Sequence, residues 1–455
     1  MKPQDWGLDR VGGRLAMDGH DLAALADEFG TPLHVVSAAK LQRRCGEFTD
    51  AFRAYPRRAL ACFSYKTNCV AGVLQQLHRA GLGAEVTGGY QLSLALRLGV
   101  RPADVVVGGP NKPDDELRQA LEAGVGVIVV ESLDELVRLE KVAAETGLTA
   151  PVALRICPDL APRGLNASAQ SGSRRMHFGL DLKTGEADAA LERAVRSKHV
   201  KLRGLHAHIG SGIRDVRWFG TEAERVLAVY ARALRLGAEP DLIDLGGGLG
   251  TSRSREFTTL ELLVYLGLGR LPGRHRPAPP DLIARYGAAV TAAIATACLR
   301  LGIPLPDLIL EPGRAVVSDA DVLLLSVGAV RDRPGVGRFA FADGGAMSVS
   351  LMFLSEVHEV FLANRDAPLD GRTSVFGRVP TGMDVVYRNL PLPRIQAGDV
   401  LAVMDAGAYF TSTATNFGGP RPAVVLLENG VARVIRRRET FDDLTRTEVV
   451  LEGNA

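Results

Sequence analysis

The sequence predicts an α/β protein: a (β/α)8 TIM barrel with a second, C-terminal antiparallel β domain. Three observations carry this. Between residues 60 and 312, eight short apolar runs recur, and stretches with helical spacing lie between them. The runs are continuously apolar rather than alternating, which suits strands buried on both faces of a parallel sheet. Beyond Pro312 the texture changes to short alternating runs separated by Gly and Asp, the pattern of antiparallel strands.

The predicted strands are 60–65, 82–86, 104–107, 127–130, 152–156, 202–208, 242–245 and 308–310. Helical patterns such as 71–83, 90–100, 114–126 and 133–149 separate them, each closing near a glycine. Eight such units over about 250 residues is the size of a (β/α)8 barrel. A doubly wound sheet would alternate too, and the count of eight favours the barrel. The first 35 residues hold strand-like pieces, GRLAMDG and TPLHVVS, able to join the β domain. The expected organisation is therefore residues 1–35 joining the β domain, 36–315 as the barrel and 316–455 as the C-terminal β domain. Residues 251–280, ending GRLPGRHRPAPP, read as an irregular insertion before the eighth strand. Two readings of it stand: a surface excursion, or a lid or specificity loop over the barrel mouth.

Composition excludes several classes. The chain has 455 residues, 46% of them apolar, enough to bury a large core. Lys+Arg 54 against Asp+Glu 52 leaves a net charge of +2, which carries no electrostatic footprint for nucleic acid. No stretch reaches 18 uninterrupted apolar residues, and the N-terminus lacks an apolar signal core, so neither a membrane span nor a secretory leader is expected. The five cysteines, 45, 62, 69, 157 and 298, form no metal-binding spacing and suit free thiols in the cytoplasm. Only eight of the cations are lysines, which makes an oddly placed lysine informative.

The active site of such a barrel lies at the C-terminal ends of its strands. The first strand ends FSYKTN, with Lys66 at its mouth. A lysine there either snorkels to the rim or serves as an amine that forms a Schiff base. The sixth ends LHAHIGSG, placing His206 and His208 two apart; no third ligand accompanies them in the sequence to favour a metal. Ser211 and its flanking glycines offer a hydroxyl and backbone N–H groups suited to phosphate. The seventh ends DLGGGLG, where Gly246, Gly247 and Gly248 permit close backbone approach to a phosphate or simply make a tight turn. The eighth ends LEPGR: Glu311 and Arg314 either engage opposite ends of one ligand or pair with each other. Together these four strand ends describe a phosphorylated, planar, electrophilic cofactor, and pyridoxal 5′-phosphate fits each of them.

These motifs resemble those of the fold-type III pyridoxal-phosphate-dependent decarboxylases, the diaminopimelate, ornithine and arginine decarboxylase family with its alanine racemase-like fold. The resemblance runs over nearly the whole chain: FSYKTN, GAEVTGG, HIGSG, GGGLG, EPGR, DAGAYFTSTATNFGG and RVIRRRETFDDL, the last closest to the diaminopimelate branch. It implies that Lys66 carries the Schiff base, His208 stacks on the ring, and Glu311 meets the ring nitrogen. It further implies that Ser211, Gly246, Gly247, Gly248, Gly313, Arg314 and Tyr409 surround the phosphate end. The reaction implied is loss of an α-carboxylate from an amino acid, in a cytoplasmic head-to-tail homodimer with shared active sites.

Departures from the family bear on substrate. Where the family carries a cysteine loop, this chain reads GRVPTGMD: Pro380 replaces the cysteine, Thr381 the acid, and only Asp384 matches. Leu351 and Ser355 stand where an Arg and a Tyr would grip a distal group, with Glu356 adjacent, and Tyr90 replaces an acidic residue. His177 is positioned either to pair with Asp384 across the dimer or to rest at the surface. Ser355, Glu356, Thr381 and Asp384 are thus the candidate substrate contacts. The expectation is a specialised biosynthetic decarboxylase acting on an unusual, carrier-bound or otherwise conjugated amino acid. Diaminopimelate decarboxylation proper, a racemase or epimerase, and a catalytically silent regulatory homologue are the alternatives.

Overall fold

The computed structural model describes residues 2–165, 169–251, 253–273 and 277–449. The chain divides into two compact units, one of Leu41–Thr259 and Arg276–Val317, the other of Met1–Lys40, Leu260–His275 and Ser318–Ala455.

The first unit is a closed parallel barrel. Its eight strands are Ala59–Ser64, Gly83–Thr87, Val105–Gly108, Val127–Val130, Ala150–Cys157, Val200–His206, Leu242–Asp244 and Asp307–Leu310. Each pairs with the next in parallel, and the eighth pairs with the first, which closes the ring. The valine runs form strands because branched side chains pack well on a pleated surface covered on both sides. An interior cluster of Cys62, Val106, Val127, Val129, Ala153, Leu242 and Ile309 fills the barrel. The barrel is therefore a packed core, not a pore. Helices outside it end on left-handed glycines at Gly124, Gly147 and Gly302, which satisfy the last carbonyls. Helix Leu282–Leu301 is long and apolar enough to cross a membrane. It packs on helix Arg217–Arg235, and Tyr286 meets Phe219 edge-on at 4.7 Å between ring centres.

The second unit is built on a nine-stranded sheet. Most pairs are antiparallel, but Gly337–Ala342 runs parallel to Leu369–Phe376, and Ala423–Glu428 runs parallel to Leu33–Ser37. The N-terminal strand Leu33–Ser37 lies inside the sheet, between Asp321–Arg333 and Ala423–Glu428. Residues 9–21 make a separate small antiparallel sheet. The pair Leu369–Phe376 and Val385–Pro393 was not legible in the sequence, because its arginines, glycine and prolines break the alternation.

The stretch 251–280 is also more ordered than its composition suggests. It contains helix Thr259–Leu268, whose Leu260, Leu263 and Leu266 face solvent. Its Tyr265 hydroxyl accepts the Arg388 N–H at 3.1 Å. Position 252 and the arginine-rich 274–276 lie outside the described residues, so the lid reading has no structural account there.

Candidate active site

The strand period of two builds the mouth of the barrel. Side chains two residues apart point to the same face. Two positions beyond the interior residues Cys62, Val129, Ala153, Leu242 and Ile309 stand Ser64, Glu131, Arg155, Asp244 and Glu311. All five are buried; four sit at or just past the C-terminal end of their strands, and Arg155 sits two residues before the end of its own. His206, two beyond Gly204 on the sixth strand, is buried as well.

Lys66 follows the first strand. Its Nζ donates to Ser64 Oγ at 2.7 Å and pairs with Glu85 Oε2 at 2.8 Å. Ser64 Oγ donates in turn to the same Glu85 oxygen. Glu85 itself is buried in the middle of the second strand, Gly83–Thr87. The lysine is thus held by a carboxylate from the neighbouring strand instead of snorkelling to the rim alone.

His208 accepts the Gly247 N–H on Nδ1 at 3.1 Å, which leaves its proton on Nε2. Burial and the nearby Arg155 and Lys66 cations hold the ring down to about 3, so it is neutral at working pH. Arg155 pairs with Glu131 at 2.6 Å and lies over the Phe178 ring at 4.6 Å. Beyond them, buried Lys112 bonds the Gly109 and Val129 carbonyls, each at 2.7 Å, and pairs with Glu135 at 2.8 Å.

Glu311 lies 3.5 Å from His206 Nε2. Burial pushes its carboxyl up, but the attraction of His206 and Lys66 prevails and holds it below the usual carboxylate range. Atoms of His206, Asp244 and Glu311 lie within 4.8 Å of one another. This spacing would also suit a metal ion, a reading the sequence did not favour.

The glycines form a cradle defined by what it excludes. Gly246 and Gly248 have φ of +58° and +102°. A Cβ on Gly247 would strike the Glu311 carbonyl, one on Gly248 the Gly210 carbonyl, and one on Gly313 the Thr67 hydroxyl. Only bare backbone fits there, which is what a phosphate approached by N–H groups requires. Arg314 is buried beside these turns, 3.6 Å from Glu256. Ser211 is half-buried, with its N–H donated to the Ala169 carbonyl at 2.8 Å. An amine, a neutral ring, a buried anion and a glycine cradle at one barrel mouth fit pyridoxal 5′-phosphate.

The remaining sequence candidates belong to the β unit. Tyr409 is half-buried with φ +68°, and its carbonyl accepts the Thr413 N–H and hydroxyl. Ser355 ends the short helix Leu351–Leu354. Thr381 is half-buried, and its hydroxyl accepts the Met383 N–H at 3.4 Å. Two of the substrate candidates sit in internal hydrogen-bond networks. Asp384 is fully buried and spends one oxygen on the Met347 N–H at 3.0 Å and the other on the Val379 N–H at 2.8 Å. Glu356 is buried against the His358 ring at 3.1 Å. Both are committed to internal partners. His177 is exposed and stacks on Phe178 at 4.0 Å. Tyr90 and Pro380 are exposed.

Glu85, Ser64, Arg155 and Asp244 were not singled out from the sequence. Their signal was present: each is a polar residue on the inward register of a barrel strand.

Comparison with known proteins agrees with this site. Residues 38–318 match the family model of the pyridoxal-dependent decarboxylase, pyridoxal binding domain, and the chain belongs to that family. It is 31% identical over 447 residues to a diaminopimelate decarboxylase of Bacillus subtilis strain 168, covering 96% of this chain and 95% of the relative. It is 33% identical over 465 residues to that of Mycobacterium tuberculosis strain H37Rv, covering 98% and 97%. A crystal structure of diaminopimelate decarboxylase from M. jannaschii matches with a TM-score of 0.85 and 29% identity over 98% of both chains. The chain is accordingly an amino-acid decarboxylase that uses pyridoxal 5′-phosphate.

Proposed function

We propose that this chain decarboxylates diaminopimelate. The observation that carries the reading is similarity along the whole chain, about 30% identity, to relatives bearing that name. A further M. jannaschii structure is titled as a co-complex with L-lysine.

When bound, pyridoxal phosphate supplies an aldehyde for an amine and a ring that accepts the electron pair left by a departing carboxylate. The chain's own residues do the rest. Lys66 Nζ would bond the aldehyde, with Glu85 and Ser64 orienting that amine. His208, neutral and fixed by Gly247, would cover the ring. Glu311, kept anionic, would accept a hydrogen bond from the protonated ring nitrogen and keep the proton there. Gly246 to Gly248, Gly313, Ser211 and Arg314 would hold the phosphate. With Pro380 in place of a thiol, Lys66 Nζ is the group on this chain best supported for returning a proton to the substrate. A cytoplasmic homodimer is part of the same reading.

A second reading, a conjugated or unusual amino acid, is favoured by Leu351, Ser355 and Pro380, which leave no charged grip where the family carries one. Carbon dioxide release from diaminopimelate, lysine, ornithine and conjugated amino acids decides between them. Enzymatic rates on diaminopimelate support the first; rates on conjugates alone support the second and overturn the first.

A further inference from the structure

Asp244 ends the seventh strand and is fully buried. Its Oδ1 accepts the Gly246 N–H at 2.9 Å. Its Oδ2 meets no donor among the described residues, and the Asp244 and Glu311 carboxyl groups have oxygens within 4.8 Å of each other. Two carboxyl groups in one dry pocket cannot both ionise. Glu311 has His206 at 3.5 Å and feels the Lys66 cation. Asp244 has no ion pair with a cation among the described residues, so it is the one that keeps a proton.

We infer that Asp244 is a positioning residue: held as the neutral acid, it donates its carboxyl proton to Glu311 and fixes that carboxylate toward the cofactor's ring nitrogen. The inference rests on the functional reading above. The same side chain ties its other oxygen to Gly246 in the phosphate turn, so one residue sets the supports for both ends of the cofactor. The neighbours agree. Burial, then the Glu311 and Glu85 charges, push the Asp244 carboxyl well above the usual range, against the opposing Gly246 hydrogen bond. Cys62 from the first strand and Tyr286 from helix Leu282–Leu301 are both held neutral, so neither adds a further negative charge.

The test compares Asp244→Asn and Asp244→Ala with wild-type holoenzyme. Asparagine mimics the neutral acid: it keeps an acceptor for Gly246 and a donor for Glu311. A protonated-carboxyl infrared band is expected in wild type and absent from Asp244→Asn. Asp244→Ala should weaken pyridoxal phosphate binding at least about tenfold and alter the pH titration of the visible band. Asp244→Asn should restore most of both. Infrared spectra in which Asp244→Asn removes no protonated-carboxyl band would overturn the proposal, as would an asparagine variant as damaged as alanine. If alanine fails to fold, the infrared comparison still decides. Failure of the functional reading is distinct: no carbon dioxide would be released from diaminopimelate, while the infrared band would still report the proton on Asp244.

Discussion

Lys66 gains its chemistry from the neighbours that hold it. Ser64 lies two residues earlier on the same strand and Glu85 on the next strand, and both bond the amine. Lys66→Ala should abolish the visible band that borohydride collapses and lower decarboxylation at least about a hundredfold. A variant that keeps a borohydride-sensitive band would contradict the assignment. His208 makes a second prediction, in stability. Its ring is held at about 3 against an ordinary 6.5. Between those values the unfolded chain binds a proton that the folded chain refuses. The contribution is complete above about pH 6.5 and is lost as pH falls toward 3. In urea unfolding of the cofactor-free protein, His208→Gln should lose less stability between pH 7 and 5 than wild type; identical losses would count against it.

At the scale of elements, the turn after the seventh strand is built for close approach. Gly248 has a positive φ, and a side chain there would meet the Gly210 carbonyl of the turn after the sixth strand. Gly248→Ala should reduce pyridoxal phosphate affinity at least about tenfold, by titration of the visible band. The loop of residues 377–384 has a different organiser. Asp384 bonds the Met347 and Val379 N–H groups, while its own carbonyl accepts the Gly377 N–H at 2.7 Å. Leaving those donors unpaired in a buried site costs about 1–3 kcal/mol. Asp384→Ala should lower unfolding stability by that order in urea, and a change near zero would show the clamp to be unimportant.

At the scale of the whole molecule, the β unit is assembled from distant parts of the chain. Leu33–Ser37 pairs with Asp321–Arg333 on one side and Ala423–Glu428 on the other. Removing residues 1–37 would expose two unpaired strand edges and uncover Val322, Leu324 and Val425 of the same core. The truncated chain should aggregate or lose cooperative unfolding, read by light scattering and thermal melts. A soluble truncation with a sharp melt would mean that the N-terminal strand is dispensable.

The strand ends and their glycines were legible because both obey local rules. A buried parallel strand must be apolar throughout, and a turn that meets phosphate can carry no side chain, so Lys66, His208, Gly246 to Gly248, Glu311 and Arg314 stood out against their surroundings. The family's loop pattern, by contrast, suggested Asp384 as a substrate contact, whereas its carboxylate is consumed by two backbone donors. Charge alone did not reveal this, because a carboxylate that binds a ligand and one that clamps a loop look the same in sequence. Glu85, Arg155 and Asp244 went unnoticed for a related reason. Their roles depend on which strand lies beside which, and on the interior residue two positions earlier pointing into the barrel. The sequence by itself determined the barrel and its cofactor, because those rest on spacing and residue type. Tertiary structure alone decided which buried carboxyl faces which cation, because a proton's place follows the distances between strands that the chain brings together only on folding.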